Sequence, residues 1–208
     1  MEEVLTEKWG KFSLNEDENE GVSLDLEEIA PMVQRGRFCL IGKLLADRIV
    51  PKDFFKVPLL KAWRPKGTAS FQVIGGNLFI VDLEYEEDKD RILAGKPWLF
   101  DGNLVSLAVF DGLTPPAKMN FDTEAFWVCM YNLPLACMGK ETGQKIGASV
   151  GVVQEVDVEE DEPGWGEYLR VKILIDLSKP LARGRMLHVH KQSLWIAFKY
   201  KKLPKLCY

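Results

Sequence analysis

The sequence is poor in the residues that enzymes and metal sites most often use. Its 208 residues include two histidines, His188 and His190, and four cysteines. Cys39, Cys129, Cys137 and Cys207 form no C-x-x-C pair, so neither a zinc cradle nor a thioredoxin-like motif is present. No G-x-S-x-G, P-loop, H-E-x-x-H or dinucleotide fingerprint occurs, and no acid, base and nucleophile converge in any motif. The expectation is a protein without enzymatic activity, metal or cofactor. No apolar run approaches the roughly 18 residues of a membrane span. Met1-Glu2-Glu3 has no basic or apolar character of a secretory signal. The cysteines are therefore expected as reduced thiols in a protein of the nucleus or cytoplasm.

What is present describes a globular chain. Hydrophobic residues make up 47%, aromatics 11% and charged residues 28%, enough to bury a core without staples. The net charge of -4 hides an asymmetry. Residues 1–28 hold ten acids and two lysines, whereas residues 181–208 hold seven Lys or Arg and no acid. Charge sorted in this way points to a basic contact surface near the C-terminus.

Hydrophobic periodicity gives the order of elements. Phe38 to Leu45 reads as a buried strand. Pro51 opens a helical pattern carrying Phe54, Phe55, Leu59, Leu60 and Trp63, which Pro58 is expected to kink or divide. Strands follow at 69–74 and 78–85, a helix starts at Glu86-Glu87-Asp88, and Trp98-Leu99-Phe100 with Leu104 to Val109 closes the unit. After Pro115-Pro116 the cycle restarts with a strand at 125–131, a helix at 141–150, strands at 151–158 and 168–177, and two closing strands at 186–190 and 193–200. The predicted fold is α+β: two ferredoxin-like, RNA-recognition-motif-like halves with antiparallel sheets, the second lacking one helix. The domain reading is an acidic segment at 1–30, one half at 31–112, a linker at 113–120, a second half at 121–200 and a basic tail at 201–208. Within the first segment, a short helix around Trp9 and an edge strand over Gly21 to Leu26 are expected. Phe38, Leu40, Phe79, Val81 and Trp98 are expected to be mostly buried.

In an RNA-recognition motif the central strands stack bases on aromatics. Here the corresponding third strand reads Leu78-Phe79-Ile80-Val81-Asp82-Leu83. One register puts Leu78 and Ile80 at the stacking places and the other puts Phe79 and Asn77 there; either way the aromatic pair is incomplete. The C-terminal stretch is the stronger candidate. Arg183, Arg185, Lys191, Lys199, Lys201, Lys202 and Lys205 offer phosphate contacts, and Tyr200 among them offers a stacking platform. Trp195 and Phe198, three apart, fall on opposite faces of a strand, one of them in the core.

The same elements carry a family resemblance. Leu78 to Leu83, Glu86-Glu87-Asp88 and Lys96-Pro97-Trp98-Leu99-Phe100-Asp101-Gly102 are followed by Phe126-Trp127-Val128, Leu133-Pro134, Ile146-Gly147 and Val156-Asp157. Arg170 to Asp176, Lys179-Pro180-Leu181 and Phe198 to Pro204 complete the series. In this order they resemble a plant domain of unknown function from LINE-retrotransposon-derived proteins. That resemblance implies a nucleic-acid-binding protein like the element's first open reading frame, with RNA or single-stranded DNA as partner. In the family a CCHC zinc knuckle usually follows, and Cys207 stands where its first cysteine would fall; zinc would enter only through such a knuckle in a longer chain. The rival expectation is a protein-interaction or self-association module docking through the sheet face of Leu78 and Ile80.

Overall fold

The computed structural model of the chain describes residues 21–159 and 164–204. The first half contains α1 (Leu26–Gly36), β1 (Cys39–Leu45), α2 (Lys52–Trp63), β2 (Ala69–Gly75), β3 (Leu78–Leu83), α3 (Glu86–Ala94), β4 (Trp98–Phe100) and β5 (Asn103–Val109). The second contains β6 (Thr123–Tyr131), α4 (Lys140–Ala148), β7 (Val152–Val156), β8 (Tyr168–Asp176), β9 (Gly184–Val189) and β10 (Gln192–Tyr200). Both sheets have five strands, with orders β2-β3-β1-β5-β4 and β7-β8-β6-β10-β9. Every pairing is antiparallel. In each half the first strand is central, flanked by the third and the last, which is the ferredoxin-like order of RNA-recognition motifs. The short β4 and the edge strand β9 are matching additions. No helix stands between β8 and β9 among the described residues, so the predicted two-half α+β fold, one helix short in its second half, is the fold observed.

Alternation sets the faces. Along β3, Phe79, Val81 and Leu83 are buried while Leu78, Ile80 and Asp82 are half-buried, so Phe79 points to the helices and the Leu78/Ile80 register holds. Phe55, Phe71 and Phe79 pack with Trp63 beneath α2, with the Phe55 and Phe79 centroids 5.2 Å apart and Trp63 stacked on Phe71 at 5.7 Å. Gly42 of β1 makes room for this cluster, since a Cβ there would lie 2.4 Å from the Phe79 ring. Burying each of these rings contributes about 1.5–3 kcal/mol. Leu40, Phe79 and Val81 are fully buried and Trp98 is half-buried, but Phe38 lies just before β1 and is 37% exposed. Its expected burial fails because it sits in the α1–β1 turn, outside the alternating run.

Two further expectations are corrected. Gly21 to Leu26 is not an edge strand: Asp25 caps α1 through a capping box with Glu28, and the helix starts at Leu26. Pro58 does not divide α2, which runs unbroken from Lys52 to Trp63. The missing proline N–H leaves the Phe54 carbonyl without its helical donor, on a side of the helix where Phe54, Val57 and Pro58 are all exposed. The expected helix around Trp9 lies outside the described residues.

The halves are joined through the space the absent helix leaves. α4 lies mainly over β7 and β8. The remaining inner face of the second sheet is covered by Leu181 and Ala182 of the β8–β9 loop and by Leu45, Leu99 and Leu104 from the first half. The last three form one row across β1, β5 and β4. That row stands on the side of the first sheet facing away from α2 and α3. Beside it the Lys96 ammonium lies 3.4 Å from the fully buried Glu124 carboxylate, and Lys202 Nζ donates to the Gly95 carbonyl at 3.3 Å.

Candidate nucleic-acid interface

The face of the first sheet that would carry bases in an RNA-recognition motif is largely covered. Ile41 and Cys39 of β1 and Ser106 of β5 are 1%, 6% and 3% exposed. Besides the leucine row, α1 lies across the outer part of this face, tied by Arg35 to Asp82 at 3.1 Å. A cleft of about 350 Å³ remains, lined by Met32, Arg35, Gln72, Ile80, Asp82 and Phe110 among others. Neither β1 nor β3 places an aromatic on this side.

The second sheet differs in what its outward face carries: Trp127, Tyr131, Tyr168, Arg170 and Lys172 are half-buried and Lys199 is exposed, around a buried Cys129. Phe126, Val128 and Met130 of β6 enter the core, as do Leu169, Val171 and Ile173 of β8. Strand alternation therefore turns Trp127, Cys129 and Tyr131 outward on β6, and Tyr168, Arg170 and Lys172 outward on β8. On β10, Ile196 and Phe198 are inward and Trp195, Ala197 and Lys199 outward. Register then assembles the outward residues. Tyr131 faces Tyr168, Cys129 faces both Arg170 and Lys199, and Trp127 faces Lys172.

The result is two aromatic places separated by a cationic belt. The Tyr131 and Tyr168 centroids are 5.1 Å apart. The Arg170 guanidinium lies 4.4 Å from the Trp127 ring centroid, and Lys199 Nζ lies 4.3 Å from that of Tyr131. Lys172 stands 5.9 Å from Trp127 and Lys201 5.5 Å from Tyr168. Acids limit the field at the β7 edge: Asp157 holds Arg170 at 2.8 Å, and Glu155 faces Lys172. Burial pushes the Tyr131 hydroxyl above the usual tyrosine range. Burial also raises the Cys129 thiol, against the opposing pull of Lys201, Arg170 and Lys199. Both groups are therefore neutral at pH 7, and the charge of the belt belongs to Arg170, Lys172, Lys199 and Lys201.

Two residues chosen from the sequence belong to this surface, Lys199 and Lys201. Tyr200 does not: it alternates with Lys199 and turns to the inner side, where its hydroxyl donates to the Ala182 carbonyl at 2.6 Å and its ring meets Phe126 edge-on at 6.4 Å. Lys202 points to the first half, with its ammonium 5.3 Å from the Trp98 ring. Arg185 also lies on the inner side and donates to the Ser149 carbonyl at 2.9 Å. Arg183 and Lys191 are exposed at the start of β9 and in the β9–β10 turn, apart from the belt. Lys205 lies outside the described residues. The sequence reading missed Trp127, Tyr131, Tyr168, Arg170 and Lys172. Their signal was available in the period-two placement of aromatics and cations within Phe126-Trp127-Val128-Cys129-Met130-Tyr131 and Tyr168-Leu169-Arg170-Val171-Lys172.

His188 Nδ1 lies 2.9 Å from Ser193 Oγ, and no cluster of three or more His, Cys, Asp or Glu suited to a metal occurs among the described residues.

Residues 32–115 match the family described as a domain of unknown function, DUF4283. The match covers the first half and leaves out the sheet that carries the aromatic and cationic face. No curated protein matches the chain. Among solved structures, the chain is similar to the first two RRM domains of the yeast poly(U)-binding protein Pub1, with 13% identity and a TM-score of 0.26 over 65% of this chain and 81% of that one. A TM-score this low adds nothing to the fold assignment, which rests on strand order.

Proposed function

We propose that this chain is a non-enzymatic single-stranded nucleic-acid-binding protein, taking RNA or single-stranded DNA on the open face of its second sheet. The observation that carries the reading is the placement of Trp127, Tyr131 and Tyr168 on one face, interleaved with Arg170, Lys172, Lys199 and Lys201. Trp127 and Tyr131 are four residues apart on one strand, about 13 Å, so an extended strand lying along β6 can stack a base at each end and set its phosphates over the belt. In the free protein the cations rest on the rings. An exposed cation–π contact is worth about 0.5–1 kcal/mol, whereas a stacked base is worth about 1–3 kcal/mol. A base therefore displaces the cation, which moves to a phosphate and adds the entropy of counterion release. The contacts are to ring faces and phosphates, so the binding is tolerant of sequence.

The resemblance to LINE-derived proteins supports a retroelement-derived origin. Docking of a protein through Leu78 and Ile80 has less support, because α1 and the second half already cover much of that face.

The test is titration of oligo-U and oligo-dT against the whole chain at several salt concentrations, by anisotropy and by quenching of tryptophan fluorescence. Binding that weakens with salt, and is reduced by Trp127→Ala and by Tyr168→Ala, is expected. No binding at low salt, or binding indifferent to both changes, overturns the proposal.

A further inference from the structure

A free sheet edge is a row of unpaired backbone donors and acceptors that another strand can join, and proteins ordinarily blunt it. Three of the four edges here are blunted. β2 and β7 carry register shifts at Val73/Gly75 and Val153/Glu155, and β4 has three residues. β9 is different: it pairs with β10 in regular register from Gly184 to Val189 and contains no proline. The Phe198 amide donates to the Arg183 carbonyl at 2.9 Å. By the alternation of an antiparallel ladder, Arg185, Leu187 and Val189 then direct their backbone groups to β10, and Met186 and His188 direct theirs outward.

The side chains along this edge define what could join it. Met186 and Trp195 are directly paired and each is 49% exposed. The indole leans over the edge strand at Gly184, where an added Cβ would lie 2.5 Å from it. Arg183 and Lys191 stand at the two ends of this strand, and no acid occurs between residues 181 and 208. A strand that fits is acidic and carries apolar residues at every second place.

Among the described residues, the stretch leading into α1 has this character. Gly21 to Asp25 belongs to no helix or strand. Val22 is 92% and Leu24 68% exposed; they alternate with Ser23 and Asp25 and follow Glu16, Asp17, Glu18 and Glu20. α1 holds this segment to the first half through Arg35 and Asp82, while β9 is the outer edge of the second sheet. We propose that the Gly21–Asp25 segment of a second copy adds to β9, placing Val22 and Leu24 beside Met186 and Trp195 and its acids beside the flanking cations. Reciprocal exchange closes a two-fold dimer. The inference is independent of nucleic-acid binding.

The experiment is light scattering of the whole chain across a concentration series, with three comparisons. Met186→Pro removes one outward N–H and leaves the ladder to β10 intact. The double change Val22→Lys and Leu24→Lys acts on exposed side chains outside the core, so it tests the idea even if Met186→Pro fails to fold. A synthetic peptide of residues 15–25 is added as competitor, with loss of the dimer in light scattering as the readout. The expected result is a dimer whose dissociation constant rises at least tenfold with either variant and falls apart under excess peptide. A monomer at all concentrations, or a dimer unmoved by the Val22/Leu24 change and by the peptide, overturns the proposal.

Discussion

Replacing Lys199 and Lys201 together by alanine separates the phosphate contacts from the stacking contacts. Four cations stand on the open face of the second sheet: Arg170, Lys172, Lys199 and Lys201. On a single strand each neutralised phosphate contributes about -0.7 to the slope of log affinity against log salt. Four contacts give a slope of about -2.8, so raising salt from about 50 to 200 mM weakens binding roughly 50-fold. With Lys199 and Lys201 removed the slope falls to about -1.4 and the same change costs roughly 7-fold. Trp127→Ala should behave in the opposite way, losing about 1–3 kcal/mol at every salt concentration with little change of slope. Asp157→Asn releases Arg170 from its 2.8 Å ion pair and should tighten binding, most strongly at low salt where screening is weakest. Anisotropy titrations with oligo-U at five salt concentrations measure all of these. An unchanged slope in the Lys199/Lys201 variant refutes the assignment of phosphates to this face.

Tyr200→Phe should leave nucleic-acid affinity unchanged while costing about 1 kcal/mol of stability through the lost bond to Ala182, as read by urea unfolding beside the titrations. Lys96→Met should destabilise by about 3 kcal/mol, because it leaves the fully buried Glu124 carboxylate without its cation; adding Glu124→Leu should recover most of the loss, and equal destabilisation of single and double variants would contradict the argument. The Cys39 thiol is pushed up to about 11, first by burial and then by the charge of Asp82. Its protonated form is therefore favoured by the fold, so this contribution is complete below the ordinary thiol pKa near 9 and is lost as pH rises toward 11. Alkylation followed by mass spectrometry at pH 8 should label Cys137, which is only partly buried, well before Cys39. Rapid labelling of Cys39 would contradict its buried setting.

The fold was legible because its strands alternate. β8 alternates buried and half-buried residues along its whole length, and the turn at Gly76-Asn77 separates β2 from β3 where expected. What failed was information that alternation does not carry. The capping box of Asp25 and Glu28 marks a helix start, but acids and leucines in Gly21 to Leu26 also fit a strand, and the cap decides between them. The site was half legible. Charge counted along the chain found Lys199 and Lys201, yet it gathered Tyr200, Lys202 and Arg185 with them although the pleat sends these to other surfaces. The aromatic residues that complete the face come from β6 and β8, about 70 and 30 residues upstream of the basic stretch in sequence, and only the sheet register brings them to it.

The absent helix and the placement of the site are two sides of one arrangement. A ferredoxin-like sheet needs cover on one face, and in the second half α4 lies mainly over β7 and β8. The first half supplies the rest by burying Leu45, Leu99 and Leu104 against the second core. That contact consumes the side of the first sheet where an RNA-recognition motif would carry bases. It also accounts for the side chains found there: Leu45, Leu99 and Leu104 pack, and an exposed aromatic pair would have nowhere to stand. On the outward face of the second sheet alternation places half-buried tyrosine and tryptophan among lysine and arginine. Under the proposed function, one half is scaffold and the other the contact surface. Restoring an aromatic to the first sheet, as in Ile80→Phe, should therefore add no nucleic-acid affinity, because α1 and Phe110 already line the cleft it would enter.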